Sequence, residues 1–241
     1  MVADERWAVL FSGGKDAYLA MLLAREQGIE VTELVTVASS HGSYLYHVPA
    51  IDAVAVIAQA ITLDHHRIQL ETRLPGDVMS DTAARYEVAP LKAWLEAAAT
   101  EGLEGIISGV IASQYQYDIL ENLTEDIGIE LVTPLWQTSG TAVLDAIGTN
   151  HLEVDIVAVA AEGLDRSWLG RRLDGHTRAE LIELSERYGI HPAGEGGEFE
   201  TLVVDAPGFD RPLRYRATTC WEGNRGHLEL TTVSLGEAPI G

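Results

Sequence analysis

The chain holds one cysteine, Cys220, and two lysines, Lys15 and Lys92. A single cysteine excludes an internal disulfide and a C-x-x-C metal or redox pair. No apolar run reaches the 18 residues or so of a membrane-spanning helix. The first residues, Met1-Val2-Ala3-Asp4-Glu5-Arg6, are acidic and pass straight into an apolar segment, unlike a secretory signal. A cytoplasmic location is expected. Histidine is present without metal spacing: His65-His66 has no H-x-x-x-H, H-E-x-x-H or Cys/His partner pattern, so no structural zinc is expected. The absence of a G-x-S-x-G elbow argues against a Ser-His-Asp hydrolase.

Positive charge is the other scarcity. Thirty-seven Asp and Glu face 16 Lys and Arg, a net charge of −21 over 241 residues. A surface this acidic suits a cytosol of molar salt, where repulsion is screened within about 3 Å. A halophilic protein is expected, with no membrane and no nucleic acid as partner. Hydrophobic residues make up 46%, enough for a packed core and too many for disorder.

One of the two lysines falls in Ser12-Gly13-Gly14-Lys15-Asp16, after the apolar Trp7–Phe11 and before the Ala/Leu-rich Ala17–Ala24. That order predicts a buried strand, a tight turn and a helix. Unpaired N–H groups and the positive helix end converge there, which makes an anion site. Two glycines let the backbone approach a phosphate, Ser12 adds a hydroxyl, and Lys15 adds a mobile cation. It is not a Walker A loop, because no glycine precedes the lysine at the required spacing.

The first half alternates strand and helix. Strands are expected at Ala8–Phe11, Val31–Val37, Arg67–Leu70, Gly105–Gly109 and Glu130–Val132, and helices at Asp16–Gln27, Ala50–Ala60, Ser80–Thr100 and Tyr115–Ile127. Gly28, Gly102 and Gly128 mark helix ends. This is an α/β pattern with a parallel sheet and ligands beyond its carboxyl edge. Past Thr133-Pro134 the pattern changes. A short helix, a strand at Val154–Ala160, a helix at Arg178–Tyr188 and three closing strands predict a smaller α+β domain. The chain is thus divided into a nucleotide-binding domain, 1–134, and a substrate-binding domain, 135–241. The last two strands are split by a turn at Glu222–Gly226.

Four further stretches carry chemistry. Ser39–Pro49 holds Tyr44, Tyr46 and His47, either a platform for a purine or a loop with a buried histidine. Ser108–Asn122 holds Gly109, which lets a ligand approach, Ser113, a natural helix cap, and Tyr115 and Gln116, which face a cleft or pack. Gly163–Arg171 carries two arginines and a tryptophan, for an anion or for surface ion pairs. Gly194-Glu195-Gly196-Gly197-Glu198-Phe199-Glu200 interleaves acids with glycines, which suits a loop holding a cation or an ammonium group, or a solvated turn.

The Ser12–Asp16 loop resembles the S-G-G-K-D-S signature of the PP-loop ATP pyrophosphatases, with Ala17 in place of the last serine. Add Ser43–Pro49, Ser108–Asn122, Pro134-Leu135-Trp136, Ala160–Asp165 with Trp168–Arg171, and His191–Thr201, and most of the chain resembles the diphthine–ammonia ligase family. Tyr117 and Ile119 stand where that family usually shows arginines. The resemblance implies a Rossmann-like fold of the adenine nucleotide alpha hydrolase type. It implies ATP-dependent amidation of diphthine on translation elongation factor 2 with free ammonium, through an acyl-adenylate, giving AMP and pyrophosphate. Ser12, Gly13, Gly14, Lys15 and Asp16 would hold the phosphates, Asp16 with Mg2+. Tyr44, His47, Gly109, Ser113 and Tyr115 would border the nucleotide. Lys15, Asp16, Glu195, Glu198 and Glu200 would carry the chemistry. A homodimer is compatible with this reading. Two alternatives stand: another PP-loop adenylating enzyme, such as one that modifies tRNA, and a non-catalytic nucleotide-binding paralogue.

Overall fold

A computed structural model of the chain describes residues 6–39, 51–70 and 81–237. The first half alternates β1 (Arg6–Leu10), α1 (Lys15–Glu26), β2 (Val31–Ser39), α2 (Ile51–Ala60), β3 (Asp64–Leu70), α3 (Asp81–Thr100), β4 (Leu103–Ile107), α4 (Gln114–Ile127) and β5 (Glu130–Val132). The five strands form one parallel sheet in the order β3-β2-β1-β4-β5. This is the expected Rossmann-like α/β architecture. Within β1, Trp7 and Val9 join a cluster with α1 and α2, while Ala8 joins the opposite cluster with α3 and α4. Burial on both faces is why β1 reads as an unbroken apolar run. Gly28, Gly102 and Gly128 all take positive φ after their helices, as expected of residues that end a helix.

Strand order reverses at β1. The loops after β1 and β4 leave the sheet on either side of that switch, where open α/β sheets hold their ligands. Gly109, in the loop after β4, abuts the head of α1. A Cβ there would lie 2.6 to 2.7 Å from backbone atoms of Asp16 and Ala17. The residue thus has a packing requirement besides the ligand approach expected from sequence.

The second half contains α5 (Gly140–Thr149), β6 (Glu153–Val159), a 3-10 turn (Arg166–Trp168), α6 (Gly175–Tyr188), β7 (Phe199–Asp205), β8 (Leu213–Glu222) and β9 (Arg225–Leu235). Its four strands form an antiparallel sheet in the order β7-β6-β9-β8. Several boundaries differ from the sequence expectation: β3 starts at Asp64, β4 ends at Ile107 and α6 starts at Gly175. The β8–β9 turn contracts to Gly223-Asn224, because Glu222 pairs with Arg225 and Gly223 takes φ 59°. The glycine-acid stretch becomes strand at Phe199, so Glu200 lies in β7 rather than in a loop.

The two sheets share a core. One cluster joins β1, α1 and α2 to β6 and β7. Helix α1 packs against β7, and α2 against β8 and β9. Ala17, Ala20 and Ala24 are all buried along α1, where small side chains suit a helix between two sheets. The Tyr18 hydroxyl donates to the Pro207 carbonyl at 2.9 Å and ties α1 to the end of β7.

Candidate active site

Gly13 ends the loop after β1 with φ 82°, a conformation open to glycine at little cost. Gly14 follows as the N-cap of α1 in an extended conformation and, lacking a side chain, offers no cap of its own. The cap comes from 186 residues away. The Lys15 amide donates to Thr201 Oγ1 at 3.1 Å. Two residues on, the Val203 amide donates to the Gly13 carbonyl at 2.9 Å. The loop is therefore shaped as much by β7 as by its own glycines. Sequence reasoning misses this role of Thr201. Its local signal is a hydroxyl directly before the buried apolar run Leu202–Val204, in a strand that also holds Glu200 and Asp205.

Lys15 is not a mobile surface charge. It is 3% exposed, its Nζ lies 2.8 Å from Asp16 Oδ2, and it sits 5.3 Å from the centre of the Phe199 ring. The pair keeps a cation and a carboxylate together at the positive end of α1. Burial pushes the Asp16 carboxyl above the usual range, and Lys15 partly offsets this; Glu195 adds to the rise and His191 opposes it. Glu200 is pushed from 4.5 to about 7, first by burial, with Lys15 opposing and Asp16 adding. Asp16 thus feels the charges of Glu195 and His191, and Glu200 those of Lys15 and Asp16.

The loop His191–Glu198 is braced from within. Glu198 Oε1 accepts from the His191 amide at 2.7 Å, and His191 Nδ1 accepts from the Glu195 amide at 3.3 Å. Glu195 reaches across to the loop after β4. Its Oε1 accepts from the amides of Ile111 (3.3 Å), Ala112 (2.9 Å) and Ser113 (3.1 Å). Ser113 caps α4 as expected, accepting from the Gln116 amide. Tyr115 is exposed on the first turn of α4.

Tyr117 stacks on Trp136, centroids 4.3 Å apart and planes 19° from parallel. Ala17 is buried and leaves no hydroxyl at the second helical residue after Lys15. Arg171 is spent within the fold: it clamps Glu180 through two nitrogens at 2.9 and 3.0 Å and lies over Trp168. Tyr44, Tyr46 and His47 lie outside the described residues.

Two buried oxygens here, Asp16 Oδ1 and Glu198 Oε2, have no hydrogen-bond partner among the described residues. Unpaired buried carboxylate oxygens fit a cation. Mg2+ commonly takes one or two protein carboxylates and completes its shell with phosphate oxygens and water. Among the described residues, no group of three or more His, Cys, Asp or Glu is placed to hold a metal ion alone.

A doubly wound α/β fold with a lysine-bearing glycine turn at its switch point defines the class. The family follows from comparison. Residues 5–131 match the diphthamide synthase N-terminal domain and residues 139–235 the diphthamide synthase C-terminal domain. The chain belongs to the diphthamide synthase family, and with it to the ligases. The diphthine–ammonia ligases of Rattus norvegicus and Homo sapiens are each 31% identical to it over 227 residues, 86% of this chain and 82% of theirs. That of Danio rerio is 32% identical over 219 residues, 87% of this chain and 86% of its own. Among solved structures, a predicted subunit of tRNA methyltransferase from Methanocaldococcus jannaschii aligns with 84% of this chain and 98% of its own. Its identity is 20% and its TM-score 0.43, too distant a likeness to argue from.

Proposed function

We propose that the chain amidates the carboxylate of diphthine on translation elongation factor 2, using ATP and free ammonium and releasing AMP and pyrophosphate. The observation that carries the reading is the head of α1: a glycine turn with a buried Lys15–Asp16 pair at the topological switch point. A carboxylate does not react with ammonia unaided, because its oxygen leaves poorly. Joining it to AMP as an acyl-adenylate supplies a good leaving group. Ser12, Gly13 and Gly14 would hold the β,γ-phosphates against the helix end, and Lys15 would take up negative charge as pyrophosphate departs. Mg2+, held by Asp16 and the phosphates, would neutralise further charge. Gly109, Ser113 and Tyr115 border the same edge and would line the adenylate, with Tyr44 and His47 as further candidates.

Glu198 and Glu200 would give the second lobe its acidic face toward ammonium or the trimethylammonium of diphthine. In this reading 1–134 binds nucleotide and 135–241 binds substrate, while β7 serves both. A non-catalytic paralogue is the second reading, and Ala17 favours it, since a hydroxyl is missing beside the phosphate loop. Wild-type and Lys15→Ala chains, given diphthine-bearing elongation factor 2, ATP and ammonium, separate the two. The expected result is an amidated histidine by mass and AMP release in wild type, with both lost in Lys15→Ala. ATP binding without AMP release under these conditions would favour the paralogue, and ADP as the product would refute the adenylation chemistry.

A further inference from the structure

The loop between β4 and α4 presents three successive backbone amides, those of Ile111, Ala112 and Ser113, to one point. Converging amides of this kind form an anion nest, and the positive end of α4 strengthens it. The nest is filled by a single oxygen, Glu195 Oε1, from 82 to 84 residues away. We infer that Glu195 is a positioning residue, whose carboxylate acts as a built-in anion holding the β4–α4 loop in register with the head of α1.

Three observations support this beyond the contact itself. The arm that carries Glu195 is fixed before it reaches the nest: His191 accepts from the Glu195 amide, and Glu198 accepts from the His191 amide. The nest is needed for the next element, since Ser113 both donates to Glu195 and caps α4. The loop is also anchored on its far side, where the Ile111 carbonyl accepts from the Gln137 amide at 2.7 Å. Without Glu195, three amides would converge on an empty point and repel one another's dipoles. Gly109, pressed against Asp16, would pass that displacement to the phosphate loop.

The consequence for turnover rests on the function proposed above; the nest itself does not. A positioning role and a role in proton transfer from ammonium make opposite demands on the side chain. Positioning needs an acceptor oxygen, which glutamine keeps. Proton transfer needs a carboxylate, which glutamine lacks.

The test compares Glu195→Gln and Glu195→Ala with wild type, reading AMP release, ATP affinity by calorimetry, and melting temperature. Charge-assisted hydrogen bonds are about twice as strong as neutral ones, so E195Q should lose less than about tenfold in kcat/KM. E195A, with three unpaired amides, should lose on the order of 100-fold. Sodium formate, exchanged for other salt at constant ionic strength, should fill the emptied nest. It should raise the melting temperature and ATP affinity of E195A and leave wild type unmoved. Equal loss in E195Q and E195A, or no formate effect on E195A, overturns the inference. A wild-type chain that releases no AMP overturns the proposed function instead, and the formate response in melting temperature then decides the role of Glu195.

Discussion

Glu200 shows how much the site asks of single residues. Its carboxyl rises from 4.5 to about 7 because β7 buries it beside Asp16, with Lys15 only partly compensating. Between those values the folded chain holds more protons at Glu200 than the unfolded chain does. Stability therefore falls as pH rises through about 4.5 to 7, and the loss is complete above that window. The cost at pH 8 is on the order of 3 kcal/mol. Glu200→Gln should remove it. Its melting temperature should exceed that of wild type at pH 8, and the gap should close toward pH 4.5. A gap that is the same at both pH values would contradict the buried-acid account. If Glu200 faces ammonium, the stabilised variant should also turn over more slowly, a trade of stability against function. None of this was legible from sequence. The interleaved acids stand out in the pattern, but only the seating of β7 against α1 brings Glu200 under the influence of the Lys15–Asp16 pair, while Glu195 turns away to bind amides.

At the level of elements, the Ser12–Gly14 turn is clamped from both sides. Thr201 caps α1 from β7, and Gly109 touches the same turn from the loop after β4. Gly109→Ala should force the two apart, since its Cβ would sit within 2.7 Å of backbone that cannot rotate away. The expected cost is about 1–3 kcal/mol, with a parallel loss of ATP affinity by calorimetry. An unchanged melting curve would mean that the two loops separate freely. Thr201→Ser keeps the capping oxygen and should be near neutral, while Thr201→Val should cost about 1 kcal/mol. The helices were legible in the sequence because glycines with positive φ end them and Ser113 starts one. The tightness of Gly109 was not, because a glycine reads the same whether a ligand or a helix lies against it.

For the whole molecule, charge sets the terms. With −21 on 241 residues, the folded chain repels itself more than the expanded one does. Raising KCl from 0.1 to 1 M shortens the screening length from about 10 to about 3 Å and should stabilise the fold. Each kcal/mol of relieved repulsion should lift the melting temperature by about 2–4 °C in a chain of this size. A melting temperature indifferent to salt would contradict the self-repulsion expected of this charge. No helix among the described residues is long and apolar enough to cross a membrane. The shared core also sets how the chain can be divided. Its halves differ in architecture, yet the loop of the first takes its cap from a strand of the second.

The sequence by itself determined the alternation of elements and the parallel sheet. Those follow from local periodicity and from glycines whose backbone angles few other residues adopt. It also determined the glycine turn that places Lys15 at the head of α1, since five adjacent residues carry that signal. The tertiary structure alone decided what each polar group meets: Lys15 buried on Asp16 and Phe199, Thr201 as a distant cap, Glu195 seated on three amides. Such partners lie 82 to 186 residues apart for Glu195 and Thr201, and no local pattern encodes a contact of that separation. It is made only when two sheets close on the helices between them.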